Sequence, residues 1–303
     1  MSDQEQLEWE ARFGRLAAVA AFAAAFLLLA GTFVLQSIIE DRKRVEALPD
    51  FLLSIDSSPG TMIASQVLLA ASALFLIPAF IYLFRAILHR LPTLPRWFVY
   101  LILIGPVFYA ISLVFGAIDR VDVAHQFADR SSQVGNHCPA ILGNAGDDCA
   151  HDLVADDVNP IAIGLSLAGS VATAFLFVML PLRARRAGLM SQFMSILGVI
   201  AGALMVLRLM PLVPEITQAF WLGAVGALFL GNWPGGRGPA WATGQPDPWP
   251  TSAQRRGLVR AGGGAPENGN APENGNAPEP AAPAEPEPTP QRPSSRKRRR
   301  KKG

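Results

Sequence analysis

The chain has 303 residues, half of them hydrophobic, with a formal net charge of +2 and a mean hydropathy of +0.29. That length has room for two ordinary domains, but the apolar residues come in long uncharged blocks, which excludes a simple soluble globular protein. The small net charge conceals an asymmetry, because the last residues are nearly all basic.

In chain order, residues 1–15 form a leader with Asp3, Glu5, Glu8 and Glu10 ahead of the first basic residue, Arg12. An alanine-rich, uncharged block follows at 16–35. Its apolar core is about 20 residues against the 7–15 of a signal peptide, so a retained helix is expected. A block of about 18 or more such residues crosses a hydrocarbon core of about 30 Å, and it does so as a helix because every backbone N–H and C=O must bond within the segment.

Further spans are expected at 61–87, interrupted only by Gln66 and Pro78, and at 97–118, where Gly105 and Pro106 mark a kink. A fourth is expected at 160–182, with Pro160 suited to a first helical turn. The fifth and sixth, at 189–209 and 217–230, are joined so closely that they form an antiparallel hairpin. The expected fold is all-α: a polytopic six-helix transmembrane bundle over residues 16–232, a Trp- and Pro-rich juxtamembrane segment at 233–260, and a disordered tail at 261–303.

Orientation follows from Lys and Arg in the short loops. With the N-terminus inside, Arg85, Arg90, Arg96, Arg183, Arg185, Arg186 and the basic tail are all inside. The loop at 119–159, with only Arg120 and Arg130 among many aspartates, is outside. Arg42, Lys43 and Arg44 in the first outer loop run against this, and the rest of the chain outweighs them. The expected location is a bacterial cytoplasmic membrane, with both termini cytoplasmic.

The outer loop holds both cysteines, Cys138 and Cys149, and three of the four histidines, His125, His137 and His151. A Cys138–Cys149 disulfide suits an oxidising compartment and would stabilise a loop of this length by on the order of 3 kcal/mol. The competing reading is a zinc site of His137, Cys138, Cys149 and His151. Its residue types fit, but adjacent His137 and Cys138 do not have the two-to-four-residue ligand spacing of such sites. His125 is expected to be solvated. Asp147, Asp148, Asp152, Asp156 and Asp157 lack the register of a calcium loop.

Within the spans, ionisable residues are almost absent, and such residues mark transport pathways. Arg208, near the outer end of the fifth span, is able to snorkel to the interface. Gly198 with Gly202, and Gly164 with Ala168, form steps that allow close backbone approach, within one chain or between copies. No HExxH, GxSxG, Walker or dinucleotide-binding pattern occurs. No enzyme, cofactor or metal role is expected.

After the last span, Trp233, Trp241 and Trp249 are interspersed with prolines. These tryptophans either lie along the membrane surface or cap the inner mouth of the bundle. Residues 265–270 recur as 271–276 in a segment too poor in apolar surface to order itself. The chain then reaches Arg296, Lys297, Arg298, Arg299, Arg300, Lys301 and Lys302. Near an anionic leaflet each basic residue contributes about 1 kcal/mol, so anionic lipid is the expected partner. Nucleic acid would be held only non-specifically, and without interleaved aromatics there is no base-stacking platform.

The layout of six spans, a large acidic outer loop and a Trp-Pro-Gly-Gly-Arg close resembles uncharacterised multi-span membrane proteins of bacteria with GC-rich genomes. The resemblance covers residues 10–250 and carries no catalytic residues. The basic tail also resembles that of ribosome-docking membrane insertases, whose groove arginine has no counterpart here. The expected role is structural or interaction-based, with a protein partner or a second copy. The alternatives are a passive transporter or channel for a small neutral or apolar solute, and third a metal-dependent enzyme on the outer face.

Overall fold

A computed structural model of the chain describes residues 2–40, 48–132, 144–156, 160–207, 212–234 and 236–249. All belong to one compact unit, Met1–Gln254; the second unit, Arg255–Gly303, lies outside the described residues, and with it the polybasic cluster.

Every regular element among the described residues is helical. Helix α1 runs Asp3–Glu40. It starts on a reciprocal cap: the Ser2 N–H donates to Glu5 Oε2 at 2.8 Å, and the Glu5 N–H donates to Ser2 Oγ at 3.3 Å. This Ser-x-x-Glu box satisfies two otherwise orphaned donors, so the acidic leader continues directly into the first apolar helix. Next come α2 (Leu48–Ser57), α3 (Pro59–Arg90), α4 (Phe98–Ser132), α5 (Asn144–Asp156), α6 (Pro160–Arg186), α7 (Gln192–Leu207), α8 (Val213–Leu230) and the single turn α9 (Ala240–Thr243). Pro59 and Pro214 sit in first turns, where a missing N–H costs nothing.

Five helices, α1, α3, α4, α6 and α8, are long and apolar enough to cross a membrane; α7, at 16 residues, is shorter. These six pack as a closed ring in the order α1, α3, α4, α6, α7, α8 and back to α1. Neighbours run antiparallel. Tyr82 meets the start of α1 while Ser72 bonds to Ala24, and Gly105 meets Ala172 and Thr173. On α7, Gly202 lies against Ala174. A side chain at Gly202 would fall 2.7 Å from the Ala174 carbonyl oxygen, so Gly198 and Gly202 serve packing within the chain, against α6 and Trp221. Gly164 faces open space; the close approach on α6 is made by Gly169 against the backbone of Tyr109.

The two halves of the ring are filled differently. Towards the end where α1 begins, Phe80, Phe177 and Trp221 meet at its centre, with centroids 5.1–6.3 Å apart, and all three are fully buried. The Trp221 Nε1–H donates to the Met194 carbonyl at 3.0 Å. Beyond them a second aromatic layer stacks Trp9 and Trp241 on Tyr82. At the opposite end, α2 and α5 fold over α4 and bury Leu52, Ile55, Phe127 and Leu153 together. The segment at 119–159 is therefore largely helical where described, with α4 continuing to Ser132.

The tryptophan-rich segment does not lie apart from the bundle. Trp241 is buried in the main core, and Trp233 and Trp249 pack against it. Of the two arrangements the sequence allows, the cap on the bundle is the one found. Helix α8 closes on Gly231 in the left-handed region (φ 82°), a conformation glycine adopts without steric cost. The Arg237 guanidinium then folds back onto the Leu228 and Phe229 carbonyls, where the negative end of the helix favours a cation.

Candidate functional site

Between α1, α3, α4, α6, α7 and α8, in the half of the ring next to α2 and α5, lies a chamber of 440 Å³. Its existence follows from the size of the inward residues. On α3 these read Gln66, Leu69, Ser72, Ala73 and Leu76, at the three-and-four spacing of one helix face, before Phe80 fills the axis. On α6, Ser166 and Thr173 precede Phe177; on α8, Glu215 and Gln218 precede Trp221 and Leu222. A few polar side chains among leucines line the hollow loop-side half, and aromatic ones close it below.

The polar groups are not all satisfied internally. Ser72 Oγ donates to the Ala24 carbonyl at 2.7 Å and Ser112 Oγ to the Tyr109 carbonyl at 2.8 Å. Thr173 is wholly buried, and its hydroxyl has no hydrogen-bond partner. Glu215 Oε2 is buried and equally unpartnered. Gln66, 3% exposed, also lines the wall. A buried hydroxyl left unpaired costs about 1–3 kcal/mol.

A second hollow of 260 Å³ shares Ser112, Arg120 and Ser166 with the chamber. It lies between α4 and α6 beneath Leu52 of α2 and Val154 of α5, beside the loop-side end of the chamber, and is called the mouth below. Leu212, in the left-handed region at φ 71°, turns the chain into α8 one turn before Glu215.

The opposite end is sealed. Arg90 and Glu10 form an ion pair at 2.6 Å, both almost fully buried. Arg90 also donates to the carbonyls of Ala86 (3.0 Å) and Ala240 (2.6 Å). Its guanidinium lies 5.5 Å from the centre of the Trp241 ring, whose Nε1–H donates to the Leu189 carbonyl at 2.9 Å. Arg85 covers Trp9, and His89 bonds Asp3 at 2.9 Å, with Gln245 on the same carboxylate.

These positions revise several expectations. Buried charge occurs at the bundle end, at Glu10 and Arg90, and Glu215 lines the chamber, all three just outside the spans expected from the sequence. His125 is not simply solvated but pairs with Asp56 of α2. Cys149 sits half-buried on α5 against the small apolar cluster, and His151 is exposed on the same helix. Cys138, His137, Arg208 and the run from Arg296 to Lys302 lie outside the described residues. No group of three His, Cys, Asp or Glu able to hold a metal occurs among the described residues.

The chamber was hidden because its polar residues are scattered singly over four spans. Gln66, Ser166 and Gln218 fall in the loop-side half of their helices, while Thr173 stands at the middle of α6 and Ser112 just short of the middle of α4. Compared with known proteins, the chain matches no family model, no curated protein and no solved structure.

Proposed function

We propose that this chain is a six-span membrane protein that admits a small polar solute into its chamber from the face bearing α2 and α5. The observation supporting this is the unpaired, wholly buried Thr173 hydroxyl lining a hollow of 440 Å³. Protein interiors are close-packed with few voids larger than a water. Sites for small molecules are hollows of about 300–1,000 Å³ with a few convergent polar groups. A purely structural bundle has no use for a polar hollow, which is why solute handling is preferred here to a structural or interaction role. The few polar groups set among apolar walls, Gln66, Thr173, Glu215 and Gln218, change the expected cargo from neutral or apolar to one with polar groups.

In this reading α7 is the sixth crossing. Its 16 residues span about 24 Å at 1.5 Å per residue, a shortfall that local thinning of the bilayer accommodates. The basic loops support a reading with both termini on the cytoplasmic side of a bacterial cytoplasmic membrane, in which the chamber opens outward and the Arg90 seal faces inward. The Cys138–Cys149 disulfide braces the outer loop. The basic run Arg296, Lys297, Arg298, Arg299, Arg300, Lys301 and Lys302, outside the described residues, holds anionic lipid in this reading. No catalytic role is assigned.

The test is uptake and binding of small polar solutes by proteoliposomes containing the full chain and its Ser166→Trp variant, which fills the junction between mouth and chamber. Uptake or binding lost in the variant, with unchanged thermal stability, supports the proposal. No solute handled by either protein overturns it. Co-purification of a partner, lost on deleting residues 296–302, would then favour the interaction role. Labelling spheroplasts with a membrane-impermeant thiol reagent tests the topology. Reaction only after reduction fits an outer disulfide; reaction without reduction sinks it.

A further inference from the structure

We infer that the chamber's solute is a small organic ammonium ion bearing a hydrogen-bonding group, with the ammonium at Glu215 and the polar group at Thr173. This rests on the chamber reading above and assigns its ligand class. Glu215 occupies the first turn of α8, where the positive helix end favours negative charge. One of its oxygens is buried without a partner, although buried charges are normally paired. No donor among the described residues reaches that oxygen, which leaves it open to a cationic group of a ligand.

The other charged group on the wall, Arg120, is a different case. It is exposed, shared with the mouth, and already engaged in an interaction of its own. The chamber proper therefore presents a carboxylate with the neutral amide of Gln218 one turn further along α8. Thr173 stands deeper, one turn before Phe177 on α6. Its hydroxyl is both donor and acceptor, so it suits an alcohol or amide at the far end of the ligand. An amino alcohol has both features.

The experiment uses the full chain in detergent, titrated calorimetrically with ethanolamine, its neutral counterpart ethylene glycol, and the zwitterion glycine. Ethanolamine is expected to bind at least tenfold more tightly than ethylene glycol. Glu215→Gln should abolish that preference while leaving the unliganded melting temperature equal or higher, and Thr173→Val should weaken ethanolamine binding several-fold. Equal binding of ethanolamine by Glu215→Gln, or preference for ethylene glycol or glycine, overturns the ammonium assignment. If ethylene glycol or glycine binding is lost in Ser166→Trp, the chamber reading survives that result. If none of the three binds, the ammonium assignment fails, and the uptake assay decides the chamber reading separately.

Discussion

Arg90, the last residue of α3, reaches across the bundle end to Glu10 of α1 with both guanidinium terminal nitrogens, at 2.6 and 3.1 Å. A paired buried charge adds little over an apolar pair, whereas one left alone is expensive. Arg90→Met and Glu10→Gln should each lower the unfolding free energy by about 3–5 kcal/mol. The double variant should lose much less than the sum. Chemical unfolding of the four proteins in one detergent measures the coupling.

Trp241 anchors the C-terminal segment to the same end. Truncating a buried tryptophan costs about 3–5 kcal/mol, so Trp241→Ala should markedly lower the melting temperature. Trp97, 54% exposed, should tolerate the same change within about 0.5 kcal/mol in detergent. Limited proteolysis near residue 240 should accelerate only in Trp241→Ala.

Glycine substitutions should separate packing faces from open ones. Gly202→Ala places a methyl against the Ala174 carbonyl and should cost about 1–3 kcal/mol through overpacking. Gly164→Ala, with nothing within 4 Å of the added carbon, should be neutral or slightly stabilising. Melting temperatures of the pair decide this.

At the α2–α5 end, Phe127 and His125 lie two residues apart on α4 with opposite expectations. Phe127→Ala removes a fully buried ring and should cost about 3–5 kcal/mol. His125→Ala removes a solvent-accessible pair with Asp56, worth about 0–1 kcal/mol. Hydrogen exchange in α2 should rise strongly in the first variant and little in the second.

Helices were the legible part of this chain, because hydrocarbon-length apolar blocks permit little else. Their ends were less so. The Ser2–Glu5 capping box lay in plain view, yet an acidic leader reads as solvent-exposed until Arg90 is known to meet it, and that pairing bridges 80 residues. The chamber was obscured for a related reason. A serine or threonine inside an apolar span usually bonds its own helix, as Ser112 does, so only the three-dimensional ring distinguishes Thr173 from its neighbours.

The Ala240 carbonyl that receives Arg90 lies 150 residues further along the chain. During synthesis, Glu10 and Arg90 are therefore laid down long before their lid. Only after α8 has been made does the segment carrying Arg237, Ala240 and Trp241 emerge to close over them. Completion of the bundle end is a late event in biogenesis, and a ribosome stalled before residue 237 would hold a ring in which Trp9 and Tyr82 still lack Trp241.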